Sequence, residues 1–184
     1  ISFVGQSLGS ITGTAFLAVE PTVNVGTLNV PGGGLAQLLN CSPTFGPRIR
    51  AGLAAVGVVA GTPAFDQFLG AAQQATDSAD PINWTSVTAT DRILAQLVVG
   101  NGSTVPPDQV VPISCPGAPL SGGEPLVRNM GLASIFATTQ NAAGIRGVVR
   151  FIAGDHGSLL SPTASPAATA EMQGEMASMN VSVG

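Results

Sequence analysis

The first residues of the chain have the pattern of a serine nucleophile on a tight turn. Ile1 to Val4 favour a short strand, Gly5-Gln-Ser-Leu-Gly9 follows, and an apolar helical run extends from Ile11 to Val19. In a Gly-x-Ser-x-Gly turn between a strand and a helix, the serine hydroxyl stands exposed above the sheet, and the glycines leave room for the close turn. The pattern predicts acyl transfer through Ser7.

The sequence also offers a general base for this serine. A serine hydroxyl is a weak nucleophile at neutral pH, so it needs a base that takes its proton and an acid that orients the base. The chain contains a single histidine, His156, which follows an apolar run and lies between Gly154 and Gly157. We therefore predict that His156 is the base.

Asp108 is the predicted acid of the triad. It follows an apolar run, Ile93 to Val99, by one loop. That position brings its carboxylate to the carboxyl edge of the sheet and keeps the chain order serine, acid, histidine. Asp155 is the rival, but adjacent side chains in an extended loop point apart, so we expect it to cap the next turn.

The remaining aspartates are weaker candidates for the acid. Asp91 lies at the opposite end of its predicted strand. Three others fall in a helical stretch and are expected to be surface charges or helix caps: Asp66, Asp77 and Asp80.

The serine turn also implies one donor for an oxyanion. The backbone N–H of the residue after the nucleophile, here Leu8, lies at the positive end of the following helix and can donate to a developing oxyanion. The second donor of such sites comes from a loop that precedes the nucleophile strand, so we expect it upstream of Ile1.

The elements that must position these groups alternate between strand and helix. Predicted strands are residues 1–4, 25–30, 93–99 and 148–153, and predicted helices are residues 11–19, 35–39, 48–60, 63–76, 126–132 and 166–179. This order predicts an α/β fold with a mostly parallel sheet and helices on both faces. Residues 35–84 form an inserted helical cap, whose apolar middle helix is either sandwiched in the core or part of a lid that faces the substrate.

Composition excludes several classes of function. The 184 residues carry a formal net charge of -4, and every basic residue is an arginine. The chain therefore lacks the basic clusters that neutralise nucleic-acid phosphates. The longest nearly uncharged apolar run, residues 51–65, is too short to cross a bilayer. One histidine and two distant cysteines do not predict a metal site, and no cofactor is expected.

The chain contains two cysteines, Cys41 and Cys115, and no lysine. They are compatible with one disulfide in an oxidising compartment, and equally with two reduced buried thiols.

The start of the chain predicts a missing partner segment. It opens on Ile1 inside a predicted strand, without an initiator methionine or a signal peptide. We expect an upstream segment of the same protein to complete the fold, so that this chain is the C-terminal part of one catalytic domain.

Several stretches resemble the C-terminal half of bacterial extracellular lipases of the virulence-factor type, members of the α/β-hydrolase superfamily. The similar stretches are residues 4–16, 107–112, 124–128 and 154–164, beginning Val-Gly-Gln-Ser-Leu-Gly, Pro-Asp-Gln-Val-Val-Pro, Glu-Pro-Leu-Val-Arg and Gly-Asp-His-Gly-Ser-Leu. Ser10 stands where such lipases commonly have glycine. The resemblance implies an α/β-hydrolase fold, carboxylic-ester hydrolysis by Ser7, Asp108 and His156, and a secreted or lipid-anchored location at a Gram-negative cell surface.

The expected substrates are esters with apolar acyl groups. Phe45, Phe65, Phe68 and the helix around residues 49–59 would supply an apolar acyl site. Two alternatives remain at this stage. The same triad could hydrolyse a polyester or polyhydroxyalkanoate, or the chain could be a non-catalytic fragment with a structural role.

Overall fold

The computed structural model describes residues 1–136 and 145–181. In this part of the chain, five strands form one all-parallel sheet in the order β1-β2-β3-β5-β4. The strands are β1 (Phe3–Gln6), β2 (Val25–Asn29), β3 (Arg92–Val98), β4 (Ala133–Ser134) and β5 (Gly147–Phe151). The predicted α/β class and parallel sheet are confirmed.

Six α-helices accompany the sheet in the described residues. They are α1 (Leu8–Val19), α2 (Leu35–Cys41), α3 (Gly46–Ala55), α4 (Pro63–Thr76), α5 (Gly123–Asn129) and α6 (Pro166–Val181). Two short 3-10 turns, Pro81–Asn83 and Val87–Thr90, precede β3. None of the described helices is long and apolar enough to cross a bilayer.

Both faces of the sheet are covered by apolar side chains. Alternate residues of β3 belong to two separate clusters: Ile93, Ala95 and Leu97 pack with side chains of α1 and α5, whereas Leu94 and Val98 pack with α6. Met172 and Met179 of α6 are fully buried in the second cluster. The largely apolar sequence of β3, with Gln96 as its polar interior residue, is thus explained, since a strand covered on both sides has no solvent-facing positions.

The chain between β2 and β3 is helical, but its middle helix is shorter and more exposed than expected. We predicted a helix over residues 48–60, and α3 ends at Ala55, before Gly57 adopts a φ of +85°. The interpretation of this helix as sandwiched in the core is wrong, because Gly46 is the one buried residue of α3, and Val56 and Val59 beyond its end are 76% and 49% exposed.

Asp80 anchors this helical stretch to the end of β2. Its carboxylate is fully buried, and it accepts hydrogen bonds from the backbone N–H groups of Gly34 (2.9 Å), Leu35 (2.7 Å) and Ile82 (3.0 Å). We expected Asp80 to be either a surface charge or a helix cap. The structure shows that it is a cap, at the start of the 3-10 turn Pro81–Asn83. A buried carboxylate with this many donors is well satisfied, so it fixes the start of α2.

A disulfide joins the end of α2 to the segment that follows β3. It links Cys41 to Cys115 across a Cα–Cα distance of 5.8 Å. The sequence left open a disulfide or two reduced thiols, and the structure contains the disulfide.

Candidate active site

Ser7 occupies a strained backbone position between β1 and α1. Its φ of 55° and ψ of -119° lie in a region that side chains rarely adopt, at a cost on the order of 1–3 kcal/mol. Surrounding bonds hold this conformation. The N–H of Ser7 donates to the carbonyl of Asn29 (3.0 Å), and its carbonyl accepts from the N–H groups of Ser10 (2.9 Å) and Ile11 (3.0 Å).

The two glycines of the turn differ in their surroundings. A Cβ on Gly5 would lie 2.5 Å from the carbonyl oxygen of Gly9, so the first glycine is needed for close packing of backbone against backbone. A Cβ on Gly9 would have no atom within 4 Å. The expectation that both glycines are required by lack of space is therefore wrong for Gly9.

His156 lies between Ser7 and Asp108. Its Nε2 is 2.8 Å from Ser7 Oγ, and its Nδ1 is 2.7 Å from Asp108 Oδ2. The three residues come from the turn after β1, the loop after β3 and the loop after β5. Parallel strands bring such loops to one edge of the sheet, so residues far apart in sequence can meet there.

Asp108 is fixed on both sides of its carboxylate. Its side chain is almost completely buried, and Oδ1 accepts from the N–H groups of Val110 (2.7 Å) and Val111 (3.0 Å). Its own N–H donates to the carbonyl of Val98 at the end of β3 (2.9 Å). Because Oδ1 is occupied, Oδ2 is the oxygen that faces the imidazole.

This geometry specifies a tautomer. With Nδ1–H donated to Asp108, the lone pair of His156 Nε2 faces the hydroxyl of Ser7 and can accept its proton. If the ring takes up a proton, the carboxylate of Asp108 is close enough to stabilise the imidazolium.

Asp155 caps a turn instead of meeting the imidazole. Its Oδ1 accepts from the N–H of Gly157 (2.9 Å) and the hydroxyl of Ser158 (3.0 Å). Asp91 directly precedes β3, at the opposite end of that strand from Asp108. Burial raises the pKa of Asp91, and the nearby charge of Arg146 partly opposes that rise.

Leu8 begins α1, and its exposed side chain points to solvent. The N–H groups of the first turn of a helix have no intrahelical acceptor, so the N–H of Leu8 can donate to a group outside the helix. A second donor upstream of Ile1 stays a prediction.

The three predicted pocket phenylalanines have different environments. Phe65 is 4% exposed and forms the buried side of α4 with Leu69, so we assign it to packing. Phe45 and Phe68 are 39% and 42% exposed. Phe45 follows Thr44, whose N–H (3.0 Å) and hydroxyl (2.7 Å) both donate to the carbonyl of Gln109, so it lies beside the loop of the acid.

A cleft of about 470 Å³ adjoins Asp108 and His156. Its walls include Val105, Pro106 and Pro107. Within residues 1–136 and 145–181, no group of three or more His, Cys, Asp or Glu side chains is arranged to hold a metal ion.

Sequence reasoning missed two residues that support the site. Gln6 Nε2 donates to the carbonyl of His156 (2.8 Å). Ser10 is buried, and its Oγ lies 2.7 Å from the carbonyl oxygen of Gly5 and 2.6 Å from that of Asn29. Neither contact has a sequence signal, because Gln6 stands at a variable position of the motif and Ser10 lies one residue outside it.

Comparison with known proteins identified no similar family, protein or structure. The chain matches no protein-family model, no curated protein and no solved structure.

Proposed function

We propose that this chain carries the catalytic triad of a serine carboxylic-ester hydrolase. Ser7 is the nucleophile, His156 the general base and Asp108 the acid that orients it. The observation that carries the proposal is the pair of contacts at His156, 2.8 Å to Ser7 Oγ and 2.7 Å to Asp108 Oδ2. A general base must lie within hydrogen-bond reach of the proton it removes, and this one does.

The reaction proceeds in two stages. Ser7 Oγ attacks the ester carbonyl while His156 Nε2 takes its proton, and the resulting oxyanion is stabilised by the N–H of Leu8. His156 then gives the proton to the departing alcohol, and the acyl group stays bound to Ser7. Water, activated by the same imidazole, releases the carboxylic acid and restores the serine.

The α/β-hydrolase fold is part of this proposal. It is supported by a serine on a strained strand-to-helix turn, by the chain order Ser7, Asp108, His156, and by the parallel neighbours β2, β3 and β5. The relationship to extracellular lipases of the virulence-factor type rests on the sequence stretches alone.

Esters with apolar acyl groups are the substrates that the helical stretch favours. Residues 51–61 carry no charge, and Val56 and Val59 lie exposed on this segment. Phe45 and Phe68 add partly exposed aromatic surface. A contiguous surface formed by such residues would bind an apolar group. The disulfide is consistent with an oxidising compartment, as a secreted or cell-surface protein would have.

The decisive experiment compares Ser7→Ala with a matched serine variant. Ser103→Ala removes an exposed hydroxyl that donates to Asn101 within its own loop. We expect Ser7→Ala to abolish fluorophosphonate labelling and to lower hydrolysis of nitrophenyl esters by roughly 1,000-fold or more. Ser103→Ala should retain both. Undiminished turnover in the complete protein with Ser7→Ala would overturn the proposal.

The range of substrates follows from the same assay. Nitrophenyl esters of increasing acyl length and an insoluble polyester film separate a lipase or esterase from a polyester hydrolase, since both use one triad.

A further inference from the structure

The main chain of His156 belongs to a loop without regular structure. The loop leaves β5 at Phe151 and passes through Gly154, whose φ is +93°. The contacts with Asp108 and Ser7 orient the imidazole ring, but they leave the backbone of His156 to be held by other groups. A ring whose backbone can shift loses its alignment with the serine.

Helix α6 holds two residues that follow His156, Ser158 and Leu159. The hydroxyl of Thr169 donates to the carbonyl of Ser158 (2.6 Å). Gln173 Nε2 donates to the carbonyl of Leu159 (2.9 Å). These bonds join residues two and three positions after the base to a helix that carries no member of the triad.

On the nucleophile side, the side chain of Gln6 makes the corresponding bond. Its Nε2 lies 2.8 Å from the carbonyl oxygen of His156, across 150 positions of sequence. Gln6 is the last residue of β1, in register with Asn29 of β2, and is joined directly to Ser7. One short segment of strand therefore holds both the backbone of the nucleophile and the backbone of the base.

We propose, on the basis of the proposed function, that Gln6 is a positioning residue that sets the distance between His156 and Ser7. It acts through the backbone of His156 and does not touch the reacting atoms. Proton transfer needs heavy atoms within about 2.6–3.2 Å, and a misplacement near 1 Å costs on the order of 100-fold in rate. Because the side-chain amide is neutral, its loss changes the geometry and leaves the charge of the site unaltered.

The chain supplies a matched control for this role. Gln173 also donates a side-chain amide N–H to a carbonyl of the same loop region, at nearly the same distance, but from α6. Methionine has the length of glutamine without the donor. Gln6→Met and Gln173→Met therefore each remove one such bond. Only the first removes the link between the nucleophile turn and the base.

The test measures kcat and KM for a nitrophenyl ester, together with the free energy of unfolding. We expect Gln6→Met to lower kcat about 10- to 100-fold with little change in KM. Gln173→Met should keep kcat near the unaltered value at a similar loss of stability. Gln6→His should recover most of the lost kcat at alkaline pH, since a histidine Nε2 lies the same number of bonds from Cα as the glutamine Nε2.

Three outcomes would overturn the inference. The first is equal kcat for Gln6→Met and Gln173→Met, and the second is a loss in Gln6→Met that lies entirely in KM. The third outcome applies if Gln6→Met does not fold, and it uses Gln6→Glu instead. Glutamate keeps the shape of the side chain but places an oxygen acceptor against the carbonyl oxygen of His156. A normal kcat in Gln6→Glu would overturn the inference. By contrast, an unaltered protein that neither hydrolyses esters nor reacts with a fluorophosphonate would remove the proposed function, and the inference with it.

Discussion

At the scale of single residues, the site depends on a close approach between the backbones of β1 and α1 on either side of Ser7. Gly5 of β1 packs against the carbonyl of Gly9 in α1, and the hydroxyl of Ser10 lies between the carbonyl oxygens of Gly5 and Asn29. This hydroxyl connects β1, α1 and β2 at one point. The strained serine is therefore supported by atoms that the Gly-x-Ser-x-Gly pattern does not describe.

The two glycines of the turn should respond oppositely to alanine. In Gly5→Ala the new Cβ would lie within 2.7 Å of three backbone atoms of Gly9 and Ser10, so the turn must move. We expect a loss of about 1–3 kcal/mol in stability and a fall near 100-fold in kcat/KM. In Gly9→Ala the Cβ meets open space inside a helix, so stability should stay equal or rise by up to about 1 kcal/mol.

Thermal unfolding and ester hydrolysis of the two variants check this pair of expectations. An active, stable Gly5→Ala protein would contradict the packing argument, and so would a Gly9→Ala protein that unfolds earlier than the unaltered chain.

At the scale of elements, α6 is joined to the sheet by a polar contact within an apolar interface. Gln96 of β3 is completely buried, and its Nε2 donates to the carbonyl of Met172 (3.0 Å) and to Oε2 of Glu175 (2.8 Å). Its Oε1 accepts from Asn29 Nδ2 (3.0 Å). Asn29 also holds Ser7 through its carbonyl, so a chain of hydrogen bonds connects α6 with the serine turn.

Glu175 makes this interface sensitive to pH. Burial raises its pKa from 4.5 to about 6, the bond from Gln96 opposes the rise, and the negative charge of Glu171 adds to it. The folded protein holds this proton more tightly than the unfolded chain does. Its contribution to stability is therefore fully present below pH 4.5 and is lost as the pH rises through about 6.

Glu175→Gln should remove this dependence, because the amide stays neutral and its oxygen can still accept from Gln96. Relative to the unaltered protein, we expect the variant to gain about 1 kcal/mol of stability between pH 4.5 and pH 7.5, a value reduced for the partial exposure of the carboxyl. Urea unfolding at both pH values measures the difference. Parallel pH profiles for the two proteins would contradict the assignment.

Elements with a clear periodic or apolar pattern could be predicted from the sequence, including the short strands β1 and β2, whereas the strand β4 and the end of α3 could not. Three elements have enough residues to show their period: the largely apolar β3, the helix α4 that begins at Pro63 after its cap Thr62, and α6 with its buried methionines. The two-residue strand β4 does not. The early end of α3 depends on the positive φ of Gly57, and the composition of residues 48–60 does not distinguish that turn from a continuing helix.

The candidate site divides in the same way. Ser7 and His156 could be selected because a motif and a unique residue type identify them, and Asp108 because of its place after a strand. Gln6, Ser10 and Asn29 act through contacts with residues distant in the sequence, and the pattern of residue types does not show which of these side chains will meet.

At the scale of the whole molecule, the helical stretch between β2 and β3 is tied to the loop of the acid at several points. Ser42 Oγ donates to the carbonyl of Val110 (2.7 Å), and Thr44 binds the carbonyl of Gln109. The disulfide from Cys41 to Cys115 closes a segment with a sequence separation of 74 and reinforces the same contact. Stability of the domain and placement of the acid are thus partly separate properties, since Asp108 has its own bonds to Val98, Val110 and Val111.

Removal of this disulfide should therefore cost more stability than activity. A closed segment of this length restricts the unfolded chain, so Cys41→Ala/Cys115→Ala should destabilise the protein by roughly 2–4 kcal/mol. Ester hydrolysis at low temperature should persist, because the bonds that hold Asp108 do not involve either cysteine. We would compare the unaltered protein and the double variant by thermal unfolding with and without a reductant. Thiol titration reports the state of the cysteines, and a rate assay reports ester hydrolysis. Reductant should lower the melting temperature of the unaltered protein alone, and equal melting temperatures for both proteins without reductant would mean that the cross-link does not stabilise this fold.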